Sequence, residues 1–275
     1  MHVAYVIAAH KNARQLTRLL NTIESPGNTY VLHVDRRANS AVHAAARAFV
    51  ETRGDRSAVA LRPQKILWGH WSMVSVQIAG IKAALAANQN WRHLINLSGQ
   101  CYPLRPAGQI EAELAAAGGQ SFMEILDFEK STENAHKRLK WFYFPCRDKM
   151  KKLWRRRPIR GTKIWWGSQW YVLSREACEY MVSEPALKRL RRYFYWSLIP
   201  DEMYFQTALM NSPLADSIVR DNKRLIMWQG GPNPKTLTMD DWPMVQTSPA
   251  WFARKFDDRA DPRILDALDQ RLAGR

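Results

Sequence analysis

Over its first hundred residues the chain alternates short β-branched runs with segments of helical period, a pattern that few architectures satisfy. It calls for a parallel sheet whose strands are joined by crossover helices. VAYVIAA (3–9) reads as a buried strand, and Leu16, Leu19, Leu20 and Ile23 come after it at helical spacing. Pro26, Gly27 and Asn28 close that helix. YVLHVD (30–35) is a second strand ending in Asp35, with His33 expected on a polar face. An alanine-rich helix (40–51), a third strand AVALRP, an amphipathic helix (72–87) and a fourth strand HLINLS (93–98) continue the alternation. Open α/β sheets bind ligands beyond the carboxyl ends of their strands, so Asp35, the Trp68 loop and the Gln100 loop are expected to face one cleft.

Further along, a helix at 106–114, a strand SFMEILDF (121–128), a strand WYVLS (170–174) and a helix at 175–182 are expected. Pro200, Asp201 and Glu202 open another helix running to Met210, with a strand at 224–228 and a final helix at 262–272 beyond it. There is no internal repeat and no linker long enough to divide the 275 residues, so residues 1–275 read as one domain.

The 46% hydrophobic content supports an ordinary core and excludes disorder as the main theme. Lys and Arg exceed Asp and Glu by 41 to 25, a formal charge of +16 that points to an anionic partner. The longest stretch free of charged residues, 66–81, is shorter than the roughly 18 apolar residues a membrane span needs. The N-terminal run lacks the basic region and cleavage site of a leader and reads as the first core strand. Three cysteines without a CxxC pair suggest neither a disulfide framework nor a zinc site, and fit a cytoplasmic setting.

Residues 137–163 hold twelve Lys or Arg against one acid, Asp148, with aromatics interleaved. Two readings stay open: a solvated basic face whose aromatics turn inward, or a patch for an anionic membrane surface or anionic polymer. Nucleic acid is disfavoured, because no helix-turn-helix, RNP or zinc-finger pattern accompanies the charge. P-loop, dinucleotide and nucleophile-elbow motifs are absent, and the seven histidines form no HxH or HxxxH pair. The Asp201-Glu202 pair is either a helix start, with Asp201 as cap, or a general base held at that start. In FARKFD, Arg254 and Lys255 are expected to bury their stems and expose their charges. Asp240, Asp241, Asp257 and Asp258 are expected to be solvated.

Taken together and in order, AYVIAAHKN, YVLHVD, LWGHWSMV, HLINLSGQCYPL, WWGSQWYVLSREA, IPDEMYFQTALMNSP and FARKFD resemble the branching N-acetylglucosaminyltransferase and peptide O-xylosyltransferase family. The resemblance spans residues 3–268. It implies the GT-A fold, a Rossmann-like, mostly parallel sheet flanked by helices, with residues 1–105 as the nucleotide-binding half and 106–275 as the acceptor-binding half. It implies inverting transfer from a UDP-sugar, without a cofactor or a DxD-bound metal. The DxD position here reads SGQC, and Cys101 stands where family members usually carry Asp. Glu202 matches the family's catalytic base, with Asp201 as the cap that fixes it. Lys255 and Lys235 match the cations at the diphosphate, and Val6, Asp35 and Trp68 match positions around the nucleotide. Glu124, Arg138 and Trp170 are the acceptor-side candidates. N-acetylglucosamine, xylose and glucuronic acid donors occur among related proteins, with the first two expected here.

The implied partners are a UDP-sugar and a glycan or lipid-linked acceptor. A bacterial-type enzyme of surface polysaccharide synthesis, cytoplasmic and peripheral to the inner membrane, fits the short N-terminus and the basic segment. The rival is a non-catalytic basic protein binding anionic polysaccharide or nucleic acid, against which the retained carboxylate of PDE argues.

Overall fold

A computed structural model of the chain describes residues 1–53, 57–183, 185, 187–231 and 233–274. The first strand, β1 (His2–Ala9), sends Val3, Tyr5 and Ile7 into one core cluster and Ala4 and Val6 into another, so both of its faces are covered. That is why its sequence is a continuous apolar run rather than an alternation. In α1 (Ala13–Thr22) the Asn12 side chain caps the Gln15 amide, and Leu16, Leu19 and Leu20 pack on the sheet. Next come β2 (Thr29–Val34), α2 (Ser40–Glu51), β3 (Ala58–Ala60), α3 (Ser72–Ala87) and β4 (Trp91–Ser98). β1 pairs in parallel with β2 and β4, and β2 with β3. Every residue of β2 is buried, including His33, whose Nε2 accepts from the Gln64 amide at 3.0 Å. The expected polar face does not exist there, because a doubly covered strand has no solvent side.

The chain continues through β5 (Cys101–Pro103), α4 (Ala107–Ala116), β6 (Ser121–Met123), β7 (Leu126–Asp127) and α5 (Glu133–Lys140). A hairpin, β8 (Trp141–Cys146) and β9 (Lys149–Arg155), leads to β10 (Trp165–Trp166), β11 (Tyr171–Ser174), α6 (Arg175–Ser183), α7 (Leu187–Tyr195) and α8 (Tyr204–Met210). The last elements are β12 (Ile218–Val219), β13 (Arg224–Ile226), α9 (Trp242–Thr247), β14 (Phe252–Arg254) and α10 (Arg263–Leu272). The central sheet has the order β12-β6-β11-β4-β1-β2-β3, with β11 antiparallel to both neighbours. The single strand expected over 121–128 is two: β7 leaves the central sheet and pairs with β10.

The C-terminal segment returns to the first half. β14 pairs with β5, and α10 docks on α1 through Arg18, which reaches Asp266 at 2.7 Å and Asp269 at 2.8 Å. The chain's own end thus packs against its first 105 residues. Among the described residues no helix is long and apolar enough to cross a membrane.

Candidate active site

The parallel strands β1, β2 and β4 end at one edge of the sheet, and the loops leaving them converge there. Beyond β1 and β2 lies a cleft of about 520 Å³ lined by Ala8, His10, Asp35, Trp68, Met73 and Asp148, among others. Asp35 is 3% exposed and accepts from the Ile66 amide at 2.9 Å and the Arg37 amide at 2.8 Å. Burial opposes its ionisation, but the hydrogen bonds from Arg37 and Ile66 outweigh burial and hold its pKa below the ordinary carboxylate value. Trp68 is 61% exposed, an aromatic face available for stacking.

The loop after Trp68 is tied to the segment that carries Glu202. Gly69 accepts from the Ile199 amide at 2.8 Å, and the Arg138 carbonyl accepts from the Leu198 amide at 3.1 Å. These bonds hold Ile199 in the left-handed region (φ 54°, ψ 55°), which a β-branched residue enters only under constraint. Pro200–Glu202 then forms one 3-10 turn, and α8 starts afresh at Tyr204 rather than continuing from Pro200 as expected. Glu202 leaves this turn to pair with Arg138 of α5. Its carbonyl accepts from Gly167 at 2.9 Å. A side chain at Gly167 would collide with the Glu124 carbonyl, so glycine is what lets the 167–170 loop lie between Glu124 and Glu202. Burial, then the charge of Glu202, raises the pKa of Glu124 against the opposing hydrogen bond from the Ser168 amide.

Asp201 is not the expected cap. It is 1% exposed, and neither carboxylate oxygen has a hydrogen-bond partner among the described residues. Burial and then the neighbouring Glu202 charge push its pKa up to about 7. A carboxyl whose pKa is higher folded than unfolded contributes stability that is full below the unfolded value, near 4, and is lost as pH rises through about 7. This contribution to thermal stability should therefore fall between about pH 4 and pH 7, and Asp201→Asn, which cannot ionise, should flatten that fall by several degrees of Tm. Parallel pH profiles for the two proteins would contradict this assignment.

The third group is cationic. β14 buries Phe252, and Arg254, two positions on, lies over the Trp170 ring at 4.5 Å, with its Nε lacking a hydrogen-bond partner among the described residues. Burial lowers the Arg254 pKa, and its side chain reaches Cys101, which is fully buried. Arg224, also buried, has its pKa pushed down to about 10 by desolvation. Lys255 is lowered by burial and then by the positive charges of Lys11 and Arg254. The charges of Lys11, Asp35, Lys255 and Arg254 all act on His10, which lines the cleft. Among the described residues no group of three or more His, Cys, Asp or Glu is arranged to hold a metal ion.

The Core-2/I-Branching enzyme family model matches residues 3–248. The chain belongs to this family. Its architecture is α/β with a mostly parallel central sheet. Xylosyltransferase 2 of Rattus norvegicus is 28% identical over 297 residues, covering 100% of this chain and 34% of that protein. Xylosyltransferase 1 of Canis lupus familiaris is 27% identical, covering 100% and 31%. The chain thus spans about a third of the length of the curated relatives it matches. Among solved structures, the galactosyltransferase LgtC in complex with donor and acceptor sugar analogs aligns over 97% of this chain and 95% of that one, at 9% identity and a TM-score of 0.47. Mouse xyloside xylosyltransferase 1 aligns over 91% and 97%, at 10% identity and a TM-score of 0.42.

In this Core-2/I-Branching family chain the structure places Asp35 and Trp68 together on one cleft and gathers Glu202, Glu124 and Arg138 on a turn bonded to the loop after Trp68. It does not bring in Val6, which is 4% exposed and packs where a side chain at Gly80 of α3 would collide with it. Trp170 is 6% exposed beneath Arg254, a support for that cation rather than an open acceptor contact. Lys235 lies beside Lys255 along the backbone, but its Nζ is taken up by Asp241 at 2.5 Å. Asp241 and Asp258, expected to be solvated, are each 8% exposed and engaged, Asp258 with Asn12. Sequence reasoning missed Lys11 and the buried head of Arg254. The signal for Arg254 was present: Phe252 and Arg254 share one face of a strand by period two, and Phe252 is core.

Proposed function

We propose that this protein is an inverting glycosyltransferase, moving a sugar from a UDP-sugar to a hydroxyl of a glycan or lipid-linked acceptor, with cationic side chains in place of a divalent metal at the diphosphate. The observation that carries this reading is that one carboxylate and a set of cations gather around the same loops. The turn that carries Glu202 is bonded to the residue after Trp68, and the charges of Lys11, Arg254 and Lys255 act on His10, which lines the cleft with Asp35 and Trp68. Asp35 and Trp68 offer a carboxylate and a ring to the nucleoside.

In this reading the Glu202 carboxylate takes the acceptor hydroxyl's proton as that oxygen bonds to the sugar's anomeric carbon. The bond from that carbon to the phosphate oxygen breaks on the opposite face, and UDP leaves with the electron pair. Lys255 and the partly desolvated Arg254 stabilise the charge that develops there. UDP-N-acetylglucosamine and UDP-xylose are the donors to try first.

The test is UDP release and thermal stabilisation across a panel of UDP-sugars, measured after exhaustive chelation and again with Mn²⁺ or Mg²⁺. A cognate donor at about 100 times its Kd should add about 2.7 kcal/mol of stability. Turnover should survive chelation. Full metal dependence would overturn the assignment of the cations, and a panel that neither stabilises nor turns over would overturn the donor class.

A further inference from the structure

The β8–β9 hairpin stands outside the catalytic apparatus and has an unusual surface. Trp154 is 67% exposed, Phe144 47% and Leu153 36%, three large apolar side chains on one short hairpin. Lys149, Lys151, Lys152 and Arg155 are exposed on the same two strands. The segment's one acid, Asp148, is at the turn and is taken up by Arg37 at 3.3 Å and Lys65 at 2.8 Å. Lys137, Arg138 and Lys163 find acids elsewhere, but these four cations have no carboxylate partner among the described residues.

A two-stranded hairpin is marginal alone, and this one is fastened at both ends. At its base Tyr143 donates its amide to the Trp196 carbonyl at 3.0 Å, its hydroxyl donates to the Lys137 carbonyl at 3.1 Å, and Phe144 stacks on Trp196. At its tip Asp148 reaches the rim of the cleft that Asp35 and Trp68 line. The exposed strand β9 is thus held beside the mouth of the cleft, with Leu153 and Trp154 on its two faces.

We propose that this hairpin docks the enzyme on an anionic lipid bilayer edge-on through β9, with Leu153 on one face of the strand and Trp154 on the other entering the headgroup layer and the four cations of the same strand meeting anionic headgroups. Charge alone would suit any polyanion. The exposed aliphatic and aromatic side chains are what favour a bilayer, whose interface rewards burial of apolar groups next to cations that snorkel toward headgroups. The proposal deepens the glycosyltransferase reading by naming a membrane as the place from which the acceptor is presented. Its test needs no turnover, so either reading can fail alone.

The experiment is co-sedimentation with vesicles of neutral phosphatidylcholine and of phosphatidylcholine mixed with phosphatidylglycerol, at low and near-physiological salt. The wild-type chain should bind the anionic vesicles and not the neutral ones. Replacing Lys149, Lys151, Lys152 and Arg155 together by Gln should weaken binding at least tenfold at low salt and reduce its salt dependence. The double variant Leu153→Ser, Trp154→Ala should weaken binding several-fold while leaving the salt dependence in place. Thermal melts verify that both variants fold, as these side chains are exposed. Absence of wild-type binding to anionic vesicles overturns the proposal. So does binding that the apolar variant does not change, or tighter salt-sensitive binding to an acidic glycan or to DNA, either of which marks a polyanion site instead.

Discussion

Glu202→Gln is expected to fold and to bind UDP like the wild type, and to lose turnover by roughly 100-fold or more, the scale of a lost general base. The amide keeps the size and much of the hydrogen bonding of the carboxylate, so the 3-10 turn and its ties to Gly69 and Arg138 should survive. What disappears is the acceptor for the hydroxyl proton. The loss should fall on kcat, with the affinity for UDP unchanged, because the substitution leaves Lys255 and Arg254, the cations assigned to the diphosphate, in place. Comparable kcat in the two proteins, with identical melting curves, would remove Glu202 from the mechanism. A variant that fails to fold would instead show that the Glu202–Arg138 pair is structural.

Lys255→Ala and Lys235→Ala are expected to differ in kind. Lys255 faces the cations Lys11 and Arg254 and feels the carboxylate of Asp257, but Asp257 is held by Lys11 at 2.9 Å, so the Lys255 ammonium has no ion pair of its own among the described residues and is available to a diphosphate. Its removal should cost about 3 to 4 kcal/mol of transition-state stabilisation, a 10²–10³-fold fall in kcat, with little change in melting temperature. Lys235 is committed to Asp241, which is 8% exposed. Deleting it strands a buried carboxylate, so the expected result is a stability loss of about 2 kcal/mol with turnover of the folded fraction retained within tenfold. Steady-state kinetics and melting curves for both variants separate the two roles. Equal kinetic losses would return Lys235 to the diphosphate, as the family resemblance first placed it.

Much of the fold was legible because it rests on local pattern. The unbroken apolar runs of β1 and β2, the helical spacing of Leu16, Leu19 and Leu20, and Pro26, Gly27 and Asn28 at the turn all report local geometry and burial that neighbouring residues share. The cleft at the strand ends was deducible from that alternation, and the structure does place Asp35 and Trp68 on it together, but not Gln100, which is 5% exposed and donates to the Phe256 carbonyl because the C-terminal segment packs over its loop. The PDE carboxylate was legible too, as a short motif within an ordered set.

Read along the chain alone, the residues were enough for the architecture, the family and the chemical groups present at the site: one acidic pair in PDE, a basic pair in FARKFD, no carboxylate in SGQC. Which of those charges are free was settled by packing. Asp201 became a buried, unpartnered carboxyl rather than a cap because the chain breaks at Met203 instead of continuing as a helix. Lys235 lost its availability to Asp241, while Lys11, some 240 residues away in sequence, came within electrostatic reach of Lys255. Val6 went under α3 because a glycine there admits close approach. The physical reason is one of range: periodicity and propensity act over a few residues along the chain, whereas desolvation and Coulomb interaction depend on distances that only packing sets.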